Sequence, residues 1–296
     1  MDRNELHERL LSAPGTVMLL GRIDAGKTTF AVDLLRKATE RGIPAALVDA
    51  DVGQSTVGPP GTVGLKLCSG MEDLGPETLN EADALGFVGA LSPKGHVTAL
   101  VNATAKLIAR AKEAGCRLVV VDTTGLITGT LGQLLKFYKI EAAGPDAIVA
   151  FERGGELEPV LGIAQRFSPA ELYEVPAAPE EDALSPVDRV SNREGRFAAY
   201  FSHGTSRWRV KPTVFMPTLP PDFELGRLQG LVVGMEDGKG NCVGIGILEH
   251  DEGEDILRMI SPVSEGVRGL RLGSVRIDLE GHSKGQITLR DLFQSE

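Results

Sequence analysis

The sequence predicts an open, parallel α/β sheet with helices on both faces, followed by a small all-β domain. Three observations carry this. Over the first 175 residues, short continuous apolar runs alternate with segments of helical period, the pattern of strand–helix–strand units whose strands are buried on both faces. The first run leads directly into a glycine-rich turn and then a helix, from Gly21 through Lys27 and onward. From about residue 212 the pattern changes to short alternating runs such as Leu231-Val232-Val233, broken by Gly and Asp-Gly turns, which reads as hairpins. The domains are therefore placed at 1–205 and 206–296.

Residues 2–11 read as a short amphipathic helix, with Leu6, Leu10 and Leu11 at helical spacing, and Pro14-Gly15 breaks it. Thr16 to Leu20 is a buried strand, Gly21 to Gly26 a turn, and Lys27 to Arg41 a helix with Gly42 just beyond it. Ala45 to Val48 is the second strand, running into Asp49-Ala50-Asp51. Residues 52–95 are rich in Gly and Pro and give no element. Val97 to Ala114 is a helix, Arg117 to Val121 a strand closing on Asp122, Leu131 to Ala143 a helix and Ala147 to Phe151 a strand. Leu157 to Phe167 is a helix and Leu172 to Val175 a fifth strand. Residues 171–184 are acidic and Pro-rich and read as a hinge before a basic segment, 186–211.

Charge and cysteine content narrow the function. The chain of 296 residues carries 31 Lys and Arg against 41 Asp and Glu, a net charge of −10. A globally basic nucleic-acid binder is excluded, but a local basic patch is not, since phosphates are met by a surface and not by an average. Cys68, Cys116 and Cys242 lie far apart with no C-x-x-C spacing, which argues against a disulfide framework or zinc site and for a reducing, cytoplasmic setting. The charged opening stretch lacks an apolar core, so it is not read as a signal peptide. The apolar runs are far shorter than the ~20 residues of a membrane span. His7, His96, His203, His250 and His282 are scattered and read as no metal site. Trp208 reads as core of the β domain, and Asp251 to Asp255 as a hairpin tip.

Gly21-Arg22-Ile23-Asp24-Ala25-Gly26-Lys27-Thr28 fits G-x-x-x-x-G-K-[ST] at every fixed position. The glycines let backbone N–H groups wrap a phosphate, and the next helix points its N-terminus at the same anion. Lys27 would reach the β- and γ-phosphates of a nucleoside triphosphate and Thr28 would ligate Mg²⁺. Gly21, Asp24, Ala25, Gly26, Lys27, Thr28 and Thr29 are thus the expected nucleotide contacts, in a P-loop NTPase sheet.

The loop does not name the phosphate acceptor. Asp51 sits at the carboxyl end of the second strand, where ligands of open α/β sheets collect. It reads equally as a general base, a holder of the metal's water, or a turn cap. Asp122 ends a strongly apolar strand and would support Mg²⁺ through water. Asp122-Thr123-Thr124-Gly125 also fits the D-x-x-G of GTPases, so a GTP-driven switch is the competing reading. A guanine-reading Asn-Lys-x-Asp is nowhere in the chain. A non-catalytic nucleotide-binding scaffold is a third. Arg189, Arg193 and Arg196, spaced by four and three, share one helix face and read either as a lid over phosphates or as a solvated face.

In these segments the chain resembles the polynucleotide 5′-hydroxyl kinases, which include the kinase of the eukaryotic mRNA 3′-end and tRNA-splicing machinery and the nucleolar rRNA-processing kinases. The resemblance covers about residues 15–205. It rests on the P-loop, Asp51-Val52-Gly53-Gln54, Pro59-Pro60-Gly61-Thr62, the stretch Gly86 to Pro93, Val121 to Gly125, and the arginine segment Arg189 to Gly204 with Tyr200-Phe201. It implies ATP and Mg²⁺ as cofactors and an RNA or DNA 5′-hydroxyl end as partner. It also implies Asp51 as general base, Gln54 at the metal's water or the acceptor, and Arg189, Arg193 and Arg196 as lid arginines of a helix over about 185–201. Thr124 and Gly125 would contact the acceptor's first phosphate. A short helix stands where eukaryotic members carry a large β domain, and several members have Asn at the position of Asp122.

Overall fold

The computed structural model describes residues 2–179, 184–202 and 204–294. Five parallel strands form the centre of the sheet: β1 (Thr16–Gly21), β2 (Ala45–Ala50), β5 (Leu118–Thr123), β6 (Ala147–Glu152) and β7 (Glu171–Pro176), in the order β2-β5-β1-β6-β7. Their side chains alternate between two apolar layers. Met18 and Leu20 of β1 face a core shared with α4 (Val97–Glu113), α5 (Gly129–Ala143) and α6 (Glu158–Phe167). Val17 and Leu19 face the opposite core, shared with α1 (Arg3–Ser12) and α2 (Lys27–Glu40). Two-sided burial explains the unbroken apolar runs of the sequence.

The unassigned stretch 52–95 contains an antiparallel extension. β3 (Thr62–Cys68) runs against β2, β4 (Ala84–Phe87) runs against β3, and the short α3 (Pro76–Asn80) lies between them. Glycine hides this in the sequence. A Cβ on Gly64 would lie 2.2 Å from Val57 O, and one on Gly86 2.7 Å from Ala103 Cβ, so both strands need bare Cα atoms where chain crosses chain.

The C-terminal strands are β8 (Ser206–Val210), β9 (Phe215–Met216), β10 (Leu231–Glu236), β11 (Cys242–Asp251), β12 (Ile256–Ser261), β13 (Gly269–Ile277) and β14 (Ser283–Gln286), followed by α8 (Leu289–Phe293). They are antiparallel except where β9 meets β13. β11 reaches the central sheet through Cys242, opposite Leu85 of β4. Gly89 O accepts hydrogen bonds from Ser274 N at 2.7 Å and Ser274 Oγ at 2.9 Å, a second seam. Trp208 is partly buried on the C-terminal core, and the tip between β11 and β12 is exposed.

The arginine segment forms α7 (Pro186–Ser202). Ser185 and Asp188 start it reciprocally: Ser185 Oγ donates to Asp188 Oδ2 at 2.6 Å and accepts from Asp188 N at 3.1 Å, with Pro186 between. Its C-terminal half buries Phe197 and Phe201 against Ile245, Ile247, Val275 and Ile277. The hinge expected over 171–184 is corrected in part: Glu171–Pro176 is strand β7, hydrogen-bonded to β6. Residues 180–183 of that hinge, and His203, lie outside the described residues.

Candidate active site

The carboxyl ends of β1, β5 and β2 stand side by side, and the P-loop residues, Asp51, Gln54, Asp122, Thr124 and Gly125 lie at or just beyond them, while the arginines come from α7. After β1 the loop turns through Asp24 (φ 56°) and Gly26 (φ 89°), both in the left-handed region, and α2 begins at Lys27. Its first turn therefore points N–H groups into a cleft of about 850 Å³. Asp24, Ala25, Gly26, Lys27, Thr28 and Thr29 line this cleft with Asp51, Gln54, Asp122, Arg193 and Arg196. Gly21 does not line it; it sits at the root of the loop, where a Cβ would meet Phe151 at 3.0 Å. Lys27 Nζ donates to Arg22 O at 2.7 Å, so the ammonium is tethered to its own loop.

Thr28 Oγ1 donates to Asp122 Oδ2 at 2.5 Å, while Asp122 Oδ1 is buried without a hydrogen-bond partner. Burial raises the Asp122 carboxyl above its ordinary range, and the facing Lys27 ammonium pulls it back. A hydroxyl and an orphaned carboxylate oxygen at the mouth of a phosphate loop are hard oxygen donors, and they fit Mg²⁺.

Asp51 follows β2 directly. Its Oδ1 accepts from Gly53 N at 3.1 Å and Gln54 N at 3.2 Å, so the cap reading of this residue holds for one oxygen. The carboxylate also lines the main cleft and an adjoining one of about 460 Å³. The second cleft is walled by Leu91, Ser92, Pro93, Thr124, Gly125 and Val190, and Gln54 and Arg193 belong to both. Asp51 therefore stands where two chambers meet, one built for phosphates and one open beside it. Gly125 is required by close approach: a Cβ there would lie 2.3 Å from Ile23 N of the phosphate loop.

α7 closes over both chambers, and its three arginines do different things. Arg189 Nη2 lies 2.8 Å from Asp24 Oδ2, its Nε is buried without a partner, and its carbonyl accepts from Gln54 Nε2 at 3.3 Å. Arg196 Nη1 donates to Thr56 O at 3.1 Å and Asn80 Oδ1 at 2.5 Å. Arg193 lines both chambers and makes no hydrogen bond or ion pair among the described residues. The solvated-face reading does not describe this helix.

Three buried charged residues escape sequence reasoning. Asp49, the register partner of Asp122 across β2 and β5, accepts from Asp51 N at 3.0 Å and Val57 N at 2.9 Å, and from Thr56 N. It thereby folds the 51–57 loop around itself. Burial, reinforced by the charge of Asp122, pushes its carboxyl up to about 7. Lys136 and Lys139 of α5 are 0 % and 1 % exposed. The available signal was their spacing: they share the helix face of Gly132, Leu135, Ile140 and Ala143, where an apolar residue is expected.

Comparison with known proteins converges on this site. The family model for the mRNA cleavage and polyadenylation factor CLP1 P-loop matches residues 21–203, from the phosphate loop through the lid helix. The chain belongs to the CLP1 P-loop family. A Pyrococcus furiosus protein named polyribonucleotide 5′-hydroxyl-kinase is 29 % identical, the match covering 96 % of this chain and 94 % of the relative. A Methanocaldococcus jannaschii protein of the same name is 28 % identical over 92 % of this chain and 90 % of its own. The solved Clp1p–Pcf11p complex shares the fold at a TM-score of 0.71, with 14 % identity, covering 93 % of this chain and 78 % of that one. Within the CLP1 fold, the open sheet with helices on both faces and the antiparallel C-terminal strands are as the sequence predicts.

Proposed function

We propose that this CLP1-family chain is an ATP-dependent polynucleotide 5′-hydroxyl kinase that transfers the γ-phosphoryl group to the 5′-hydroxyl end of RNA. The observation that carries the reading is the position of Asp51, shared by a phosphate chamber and a second chamber beside it. Relatives named polyribonucleotide 5′-hydroxyl-kinase align over nearly the whole chain and favour RNA as acceptor.

In this reading the P-loop amides and Lys27 hold the triphosphate with its γ-phosphate toward Asp51. Thr28 and Asp122, with Asp51 and Gln54 nearby, would hold Mg²⁺, which when bound would supply neutralisation of the triphosphate's negative charge. The 5′-hydroxyl enters from the second chamber, with its first phosphate against Thr124 and Gly125. The Asp51 carboxylate takes the hydroxyl proton as the new P–O bond forms. The bond from the γ-phosphorus to the β–γ bridging oxygen breaks in line, and ADP carries away that electron pair. Arg193, with Arg189 and Arg196 beside it, meets the equatorial oxygens from above. Alignment and charge stabilisation supply most of the rate, as phosphoryl transfer requires little covalent chemistry from a protein.

Residues 1–205 then form the kinase unit and 206–296 brace it through the Ser274–Gly89 seam. Among the described residues no helix is long and apolar enough to cross a membrane, and the three cysteines are free thiols; both support a cytoplasmic enzyme. The test is transfer of label from γ-labelled ATP to 5′-hydroxyl RNA and DNA oligonucleotides of one sequence. RNA is labelled by the wild type and not by Lys27→Ala. A wild type that labels no RNA overturns the reading.

A further inference from the structure

Two lysines lie in the interior directly beneath the site. Lysine normally buries its stem and keeps its nitrogen in water, but Lys136 and Lys139 are enclosed to the tip. Such burial needs partners. Lys136 Nζ donates to Thr124 O at 2.6 Å and to Thr123 Oγ1 at 2.8 Å, and Thr123 Oγ1 donates on to Leu19 O at 2.7 Å. Lys139 Nζ donates to Ala50 O at 3.3 Å. The carbonyls they hold belong to the peptides leading into Gly125 and Asp51. One helix thus reaches, three residues apart, to the tips of both β5 and β2, and through Thr123 to β1 at the root of the phosphate loop.

α5 is itself fixed. A Cβ on Gly132 would lie 2.6 Å from Ile127 C, so the helix is seated hard against the chain that leaves β5. The surrounding charges are mixed: Asp49, Asp51 and Asp122 lie on the acidic side, Lys27 on the basic side. Burial pushes the Lys139 ammonium down to about 8, and Lys136 falls well below the ordinary lysine range. The hold does not depend on that charge. A neutral amine still has two N–H groups, enough for every bond named.

We propose, on the kinase reading of the cleft, that Lys136 and Lys139 are positioning residues that pin the β5 and β2 tips so that Asp51 and the Thr124–Gly125 peptide face the acceptor. Neither touches substrate.

The substitutions Lys136→Met and Lys139→Met keep the volume and remove the donors. Each is expected to lower kcat for a 5′-hydroxyl RNA on the order of a hundredfold, the scale of a small misplacement at a reacting centre. KM for ATP and the affinity for a fluorescent ATP analogue stay at wild-type values. Lys→Gln, which restores a donor on a shorter arm, is expected to recover part of the loss. Hydrogen exchange should quicken in peptides covering 49–54 and 123–126 and nowhere else. A simple core-filling role predicts the opposite order, with Met equal to wild type and Gln worse, and that order overturns the proposal. Should a Met variant not melt cooperatively, exchange in the Gln variant decides: quickening confined to 49–54 and 123–126 with intact ATP binding supports the hold, and wild-type exchange there, or quickening spread through the α5 core, overturns it. The exchange readout needs no turnover. An inactive wild type with faster exchange at these tips in the variants overturns the kinase reading and leaves the pinning in place.

Discussion

The Arg189 guanidinium meets the Asp24 carboxylate at 2.8 Å, joining the lid helix to the phosphate loop across the mouth of the cleft. Asp24 stands in the left-handed region (φ 56°), which Asp tolerates better than most residues. The C-terminal half of α7 is anchored differently, by Phe197 and Phe201 in an apolar core and by Tyr200, whose hydroxyl accepts from Ile245 N at 3.0 Å. The lid is fixed at one end and latched at the other. The latch is the contact that ties the helix to the phosphate loop itself.

The latch is expected to affect nucleotide dwell time more than stability. Both side chains are about one-fifth exposed, and pairs with that access to solvent contribute roughly 0–1 kcal/mol. Asp24→Asn and Arg189→Lys are therefore expected to leave the melting temperature nearly unchanged. Release of a fluorescent ATP analogue should quicken severalfold in each, and the double variant should be no faster than either single, since the two act as one contact. Stopped-flow dissociation measures this; additive effects would show that the residues act separately.

Asp51→Asn separates the two roles of that residue. Asparagine keeps an oxygen to cap Gly53 N and Gln54 N, so the loop and nucleotide affinity are expected to survive. A carboxylate that accepts the proton is gone, and kcat should fall by about 10²- to 10⁴-fold. Steady-state kinetics with a 5′-hydroxyl RNA, beside equilibrium ATP binding, gives both numbers. A variant that keeps wild-type kcat would reduce Asp51 to its cap.

Most of the sheet was legible because buried parallel strands are written as apolar runs, and the P-loop because its glycines recur at fixed spacing. What the sequence concealed has physical causes. β3 and β4 hide behind glycines that their neighbours demand, as at Gly64 and Gly86. Asp51 reads as cap or base because it does the first with one oxygen and is open to the second role with its carboxylate. Arg189, Arg193 and Arg196 share a face in sequence, yet one is latched to Asp24, one unpaired among the described residues and one tied to Thr56 O. Spacing cannot rank them, because the ranking comes from loops distant in the chain. The spacing of Lys136 and Lys139 puts them on the apolar face of α5, but their partners are backbone carbonyls, which carry no sequence signature.

Gly125→Ala tests the seam between β5 and the phosphate loop. The added methyl would meet Ile23 N at 2.3 Å and Ile23 Cα at 2.8 Å, backbone atoms that cannot rotate away. Overpacking of this kind costs about 1–3 kcal/mol, and the loop must shift to relieve it. A lower melting temperature together with weaker ATP-analogue binding is expected. Gly154→Ala, with nothing within 4 Å of its Cβ, is the control and should change neither. Wild-type ATP binding in Gly125→Ala would show that the two segments move independently.

The buried charges beneath the site predict opposite pH trends in stability. Asp49 titrates near 7 in the folded chain, raised from an ordinary 3.8 by burial and then by Asp122. Between those values the folded state binds more protons than the unfolded, so this group's contribution falls as pH rises through the window and levels off above it. Lys139 is depressed by burial from 10.5 to about 8. Between 8 and 10.5 the unfolded state binds more protons, so its contribution rises with pH there and is constant below. Urea midpoints read at pH 5, 7, 8.5 and 10 should show it as differences from wild type. Asp49→Asn is less stable throughout, by about 1–3 kcal/mol, because an amide replaces one of the oxygens that accept from Asp51 N, Thr56 N and Val57 N. Its deficit should shrink from pH 5 to pH 7, as the wild type loses what the variant never had. Lys139→Met should diverge only above pH 8, where the wild type gains and the variant does not. A deficit for Asp49→Asn that stays constant across pH 5–7 would mean that Asp49 remains ionised in the fold, its charge carried by the three N–H groups and the nearby lysines.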